Sequence, residues 1–279
     1  MDFTNEIAVL EYIQAEIDSG KLVLPTLPEV ALSVRQAVNS GNANDAELAR
    51  IIAGDPGLAA RLLQVVNSPL YRARQKIESI QAAVTRMGHN LIRNIITSLA
   101  MQQIFKPHVP LLDQYFHDTW KHSVNVSAVS RALCLRCGHL DKEQAMLAGL
   151  IHQIGKLPVL TIAERFPDLA NDKAALDNLL NNLHTAIGRL IVQRWDFPDQ
   201  ISRAAYEYRD FTRDSGPLAD YVDLVQVAYL ESEMFKQPEL FAKLGDIPAF
   251  RKLGLDPEIE VLEIEGIAEE VAETEQIFL

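Results

Sequence analysis

His152 and Gln153 stand side by side in Gly-Leu-Ile-His-Gln-Ile-Gly-Lys-Leu, residues 149–157, an imidazole next to an amide. A neutral imidazole ligates borderline divalent metals, and an adjacent carboxylate would add a hard anionic oxygen. Glutamine offers only a neutral amide oxygen, so the pair lacks the charge a hydrolytic metal centre draws from its ligands. Lys156, after Gly155, could meet an anion or run along apolar surface to solvent. Arg72, Arg74 and Lys76 form a basic cluster in a turn-like segment, able to meet a phosphate or simply to be solvated. Cys134 and Cys137 have the Cys-x-x-Cys spacing of a redox pair or half a zinc site. No second pair of ligands lies nearby, so they read as two small apolar side chains at a helix end before Gly138.

Composition narrows the partners. The 279 residues are 48% hydrophobic and 23% charged, ordinary for a folded globular chain, with a formal net charge of −12. A surface of that sign repels the phosphate backbone, so nucleic acid is not expected as a partner. The sequence shows no obvious bilayer-spanning run, and its first residues, Met-Asp-Phe-Thr-Asn-Glu, are acidic where a secretion signal is basic. The expectation is a cytoplasmic protein with neither a membrane partner nor a cofactor.

The elements that must position these residues are helices. Ile7, Leu10, Ile13 and Ile17 repeat at helical spacing, as do Val30, Val34 and Val38, and Leu24-Pro25-Thr26-Leu27-Pro28 between them must be extended. Asp45 is expected to cap a helix over Ala46 to Ala53, and Asp55-Pro56 to open the next, which ends at Asn67-Ser68-Pro69. Two further helices lie on either side of Gly88. Lys106-Pro107-His108-Val109-Pro110 reads as a connector. Beyond it, helices are expected around Trp120 to Leu133, Met146 to Ile151, Leu179 to Trp195, Ile201 to Tyr208 and Leu218 to Phe235. After Asp256-Pro257, residues 255–279 hold nine acidic residues and no lysine or arginine. Ile259, Leu262, Ile264, Ile267 and Val271 give that tail an apolar stripe for packing on the body. The predicted organisation is all-α: an N-terminal helical lobe over 1–110, a second helical lobe over 111–254, and an acidic C-terminal helix over 255–279.

Several motifs occur in order: Leu24-Pro25-x-Leu27-Pro28, Ile51-Ile52-x-x-Asp55-Pro56-x-Leu58, Val66-Asn67-Ser68-Pro69-x-Tyr71 and Ile80-x-x-Ala83-Val84-x-x-Met87-Gly88. With them the chain resembles the HDOD family, the HD-related output domain of bacterial signalling proteins. The second lobe resembles an HD phosphohydrolase core that has lost ligands. The resemblance sets Trp120-Lys121-His122-Ser123 at the first metal histidine, His152-Gln153 at the His-Asp pair, and His184-x-x-Ile187-Gly188 at a later histidine of HD-GYP phosphodiesterases. It aligns Tyr208 and Arg209 with the paired histidines and Tyr229 with the final metal aspartate, with Asp220 and Asp223 close by.

The resemblance therefore implies a vestigial metal or ligand-binding site of His122, His152, Gln153, Lys156, His184, Tyr208, Arg209 and Tyr229. No catalytic residue and no metal are assigned, and His122, His152 and His184 are the weak metal candidates. The function it implies is a non-catalytic regulatory module of bacterial signal transduction, with an unidentified signalling protein as partner and a nucleotide as a possible ligand. The alternative is a metal-dependent phosphohydrolase acting on a nucleotide or cyclic dinucleotide.

Overall fold

The computed structural model describes residues 3–71, 75–106, 109–233, 244–256 and 261–278. These residues are helical, and no strand occurs among them. The first group comprises α1 (Glu6–Asp18), α2 (Glu29–Asn39), α3 (Asp45–Ala53), α4 (Pro56–Val66), α5 (Ile80–Met87) and α6 (His89–Met101). Asp55 caps α4, its carboxylate accepting from Leu58 N at 3.0 Å, with Pro56 in the first helical position. The cap of α3 differs from the sequence expectation: Asn44 accepts from Glu47 N at 2.9 Å. Asp45 instead accepts from Thr85 and contacts His89, at 2.5 and 2.7 Å, tying α3 to the α5–α6 corner. Asn67 pins the loop after α4, donating to the carbonyls of Leu63 and Ile77 and accepting from Ile77 N.

The connector is only partly described, since Pro107 and His108 lie outside the described residues, as do Arg72 and Arg74. Lys76 is exposed. After the connector come α7 (Asp113–Cys134), α8 (Lys142–Ile151), α9 (Lys156–Ala163), α10 (Pro167–Asn171) and α11 (Lys173–Arg194). They are followed by α12 (Asp199–Ser202), α13 (Ala204–Glu207), α14 (Tyr221–Glu233) and α15 (Pro248–Leu253). The single helix expected from Ile201 to Tyr208 is thus two short ones. α7 packs along α8, α14 and the terminal helix, and one apolar core runs through both groups of helices.

Residues 142–163, spanning α8, the turn and α9, are long and apolar enough to cross a membrane by length and composition, contrary to the sequence expectation. The fold buries 89% of the apolar 18-residue window within it, so its apolarity serves the protein core. The cysteine pair is free and buried. In the tail, residues 257–260, Ile259 included, lie outside the described residues, and the helix that forms is α16 (Ile267–Glu275), entered through a left-handed Gly266. Its packed stripe is Ile267, Val271, Thr274 and, beyond the helix, Phe278, whereas Leu262 is exposed.

Candidate functional site

His122 lies on α7, His152 closes α8, Gln153 and Gly155 form the turn into α9, and Lys156 opens α9. His184 lies within α11, Tyr208 closes α13, and Tyr229 lies on α14. Gly155 explains how the turn reaches α11. A β-carbon there would stand 1.9 Å from the His184 carbonyl oxygen and 2.5 Å from Gly188 N, so only glycine permits this backbone contact.

The rings form one packed cluster. His152 lies 5.3 Å from His122 and 4.9 Å from Tyr208 between centroids, and Tyr208 lies 5.0 Å from Tyr229. Tyr229 also approaches His122 at 5.9 Å and His152 at 6.3 Å. His152 is fully buried and donates from Nδ1 to the Gly149 carbonyl at 2.6 Å, which leaves Nε2 as an acceptor without a hydrogen-bond partner. The Tyr208 hydroxyl bonds His184 Nε2 at 2.6 Å and also bonds the Gln153 side chain. Gln153 Oε1 is buried without a partner.

Burial sets the charge state of this cluster. Desolvation, then His122, pushes the His152 imidazole well below the usual histidine range. His184 is pushed down to about 3 by burial, then by Lys156 and Arg209. Desolvation, then Tyr229, pushes the Tyr208 hydroxyl up. At neutral pH these three groups are uncharged.

Arg209 does not join them. It is exposed and donates to the Asn181 carbonyl at 2.7 Å. Asp220 and Asp223 also stand apart, in an ion network with Arg213 and Lys252: Arg213–Asp220 is 2.5 Å, Arg213–Asp223 3.5 Å and Lys252–Asp223 3.3 Å. On α14 it is thus Tyr229, not either aspartate, that packs against the His122 and His152 rings.

Above the cluster opens a cleft of about 400 Å³ between α7 and α11. His122, Gln153 and Lys156 line it together with Asp118, Lys173, Asp177 and Glu233. Three carboxylates against two lysines make it a mixed-charge cleft, unlike a dedicated phosphate cradle. Glu233, absent from the sequence reading, sits 3.8 Å from His122 Nδ1. Its signal was weak, because a single glutamate near a helix end normally marks a solvated face.

The HD resemblance implies a divalent metal here, and the donors do not fit one. His152 has a single nitrogen left, His184 Nε2 is engaged by Tyr208, and Gln153 and Tyr229 stand where the resemblance sets carboxylates. Among the described residues no group of three or more His, Cys, Asp or Glu could hold a metal ion. The cluster can bury neutral polar groups and present a cleft, but it lacks the anionic ligands that activate water.

Comparison with known proteins agrees with this architecture. The solved structure named "Putative metal-dependent phosphohydrolase" from Shewanella amazonensis SB2B superposes with a TM-score of 0.85 at 29% identity, covering 99% of this chain and 100% of that one. An HDOD domain protein with unknown function from Geobacter sulfurreducens superposes with a TM-score of 0.69 at 24% identity, covering 98% and 99%. An uncharacterized protein of Treponema pallidum (strain Nichols) is 24% identical over 193 residues, 64% of this chain, and the match spans only 36% of that relative's length. The HDOD domain model itself matches residues 24–211. With two thirds of its length under that match, this chain belongs to the HDOD domain family.

Proposed function

We propose that the chain is a non-catalytic regulatory module of bacterial signalling, working by binding a partner protein or a small ligand. The observation that carries this reading is the Tyr208 hydroxyl. It bonds His184 and Gln153 where hydrolytic relatives would place metal ligands, and so converts the site into a neutral, packed plug. The two free, buried cysteines accord with a reducing compartment such as the cytoplasm. The 1–110, 111–254 and 255–279 division remains our proposed organisation, with the cleft in the middle unit.

The test is turnover with manganese, magnesium or nickel, using cyclic dinucleotides and nucleoside phosphates, beside His152→Ala. No hydrolysis above the variant's background is expected. Turnover that His152→Ala abolishes would replace this reading with the phosphohydrolase one. Thermal stabilisation by a cyclic dinucleotide without turnover would identify the ligand as a nucleotide, since a ligand that binds only the folded state raises its stability.

A further inference from the structure

The C-terminal segment is held by polar contacts that differ from the rest of the core. Arg131 of α7 is fully buried, bonds Glu143 of α8 at 3.0 Å and meets the Glu270 carboxylate of α16. The Tyr71 ring lies 5.8 Å from its guanidinium carbon, and the Tyr71 hydroxyl donates to Glu143 at 2.7 Å. Farther along, Arg61 of α4 donates to the Ile277 carbonyl at 3.1 Å, Gln102 at the C-terminal cap of α6 donates to that of Phe278 at 3.4 Å, and Phe278 packs edge-on against Trp120 at 5.8 Å. Residues 267–278 thus strap α4 and α6 to α7.

Three features make this strap replaceable. Arg131 keeps Glu143 when Glu270 leaves, so departure strands no buried charge. α16 has only nine residues and no side-chain N-cap bond, and Glu273 and Glu275 near its C-terminus offset what Glu269 and Glu270 gain from the helix dipole in the first turn, so it is marginal as a helix on its own. The strap belongs to a tail, residues 255–279, that carries nine acidic residues and no lysine or arginine and so most of the chain's net charge of −12, and the cation its Glu270 meets on the body is Arg131, so the seat selects an acidic helix by charge.

We infer that residues 267–278 are an exchangeable clasp, and that their seat on α7, α4 and α6 is a docking surface for an acidic amphipathic helix of a partner protein. Such a helix would place apolar side chains at the Ile267, Val271 and Phe278 positions and a carboxylate opposite Arg131. This inference concerns a different face from the histidine cluster and stands or falls apart from it.

A fluorescent peptide of residues 261–279 is titrated into the full chain and into full-length Glu270→Gln/Phe278→Ala. The resident tail competes at high effective concentration. The expected result is binding at least tenfold tighter to the variant, lost at least tenfold when the peptide itself carries Glu270→Lys. Equal binding to both chains, or none to a variant that circular dichroism shows folded, overturns the inference. If the variant does not fold, hydrogen exchange of the unaltered chain decides. Amides of Val271–Glu275 exchanging at least tenfold faster than those of α8 support the clasp, and equal protection refutes it. Dimerisation of the unaltered chain through exchanged tails would make a second copy the occupant and overturn the partner assignment.

Discussion

The hydroxyl of Tyr208 lies 2.6 Å from Nε2 of His184, joining the end of α13 to the middle of α11 inside the cluster. Both groups are neutral, and each satisfies the other. The bond gives the site a structural task that can be measured.

Tyr208→Phe removes one hydroxyl and leaves both His184 and Gln153 short of a partner. The expected loss is about 1–3 kcal/mol of stability. Urea denaturation at neutral pH measures it, and an unchanged midpoint would show that the bond contributes nothing net.

Stability should fall as the medium is acidified. The unfolded chain protonates His184 near 6.5, whereas the folded chain resists until about 3. Between those values protons favour the unfolded form, at about 1.4 kcal/mol per pH unit for a fully titrating group. His152, lowered by burial, acts in the same direction. Denaturation midpoints taken from about pH 7 down to about pH 4.5 should decline, and His184→Gln should flatten the slope.

Gly155→Ala should cost about 3 kcal/mol or more, because its new carbon meets backbone at 1.9 Å that cannot rotate away. Gly138→Ala is the control. Nothing lies within 4 Å of the corresponding position, and the midpoint should hardly move.

Arg131→Met leaves Glu143 buried without its cation and Glu270 without a docking partner. A loss of about 3–5 kcal/mol is expected. Thermal unfolding checks it, and Lys76→Met, on an exposed lysine, serves as the neutral comparison.

Gln153→Asp restores an anionic oxygen beside His152 and should tighten nickel or zinc binding in calorimetry. Hydrolysis should stay absent, because the Tyr208 and Tyr229 rings still fill the space other ligands would need. Recovery of turnover by this one change would show that the tyrosines are no obstacle.

Local signals in the sequence carried much of this architecture. Asp55-Pro56 marks a helix start because cap and proline act within one turn, whereas the turn at Gly155 that seats His152 depends on a contact with α11 that only the fold reveals. Asp45 misled for the same local reason: Asn44, one residue earlier, has the same capping chemistry and a side chain free to use it. The tail stripe was misplaced by its phase, since Gly266 restarts the helix and moves Leu262 to the surface. The Arg131, Glu143, Glu270 and Tyr71 assembly was not legible, because its members come from distant segments and only the fold brings them together. An arginine in Val-Ser-Arg-Ala-Leu-Cys, on an otherwise small and apolar helix face, was the signal available.

The length of α7 has a mechanical consequence. Its N-terminal half supplies Gln114, Asp118, Thr119 and His122 to the cleft, and its C-terminal half supplies Arg131 to the seat of the terminal helix. Nine residues of helix separate His122 from Arg131, about 13 Å of axial rise. At Gly149, where a β-carbon would stand 2.4 Å from Ser127 Cα, α8 presses backbone to backbone on this same span. The cleft and the seat therefore share one continuous helix, held at its middle by a backbone contact too close to admit any side chain larger than glycine's.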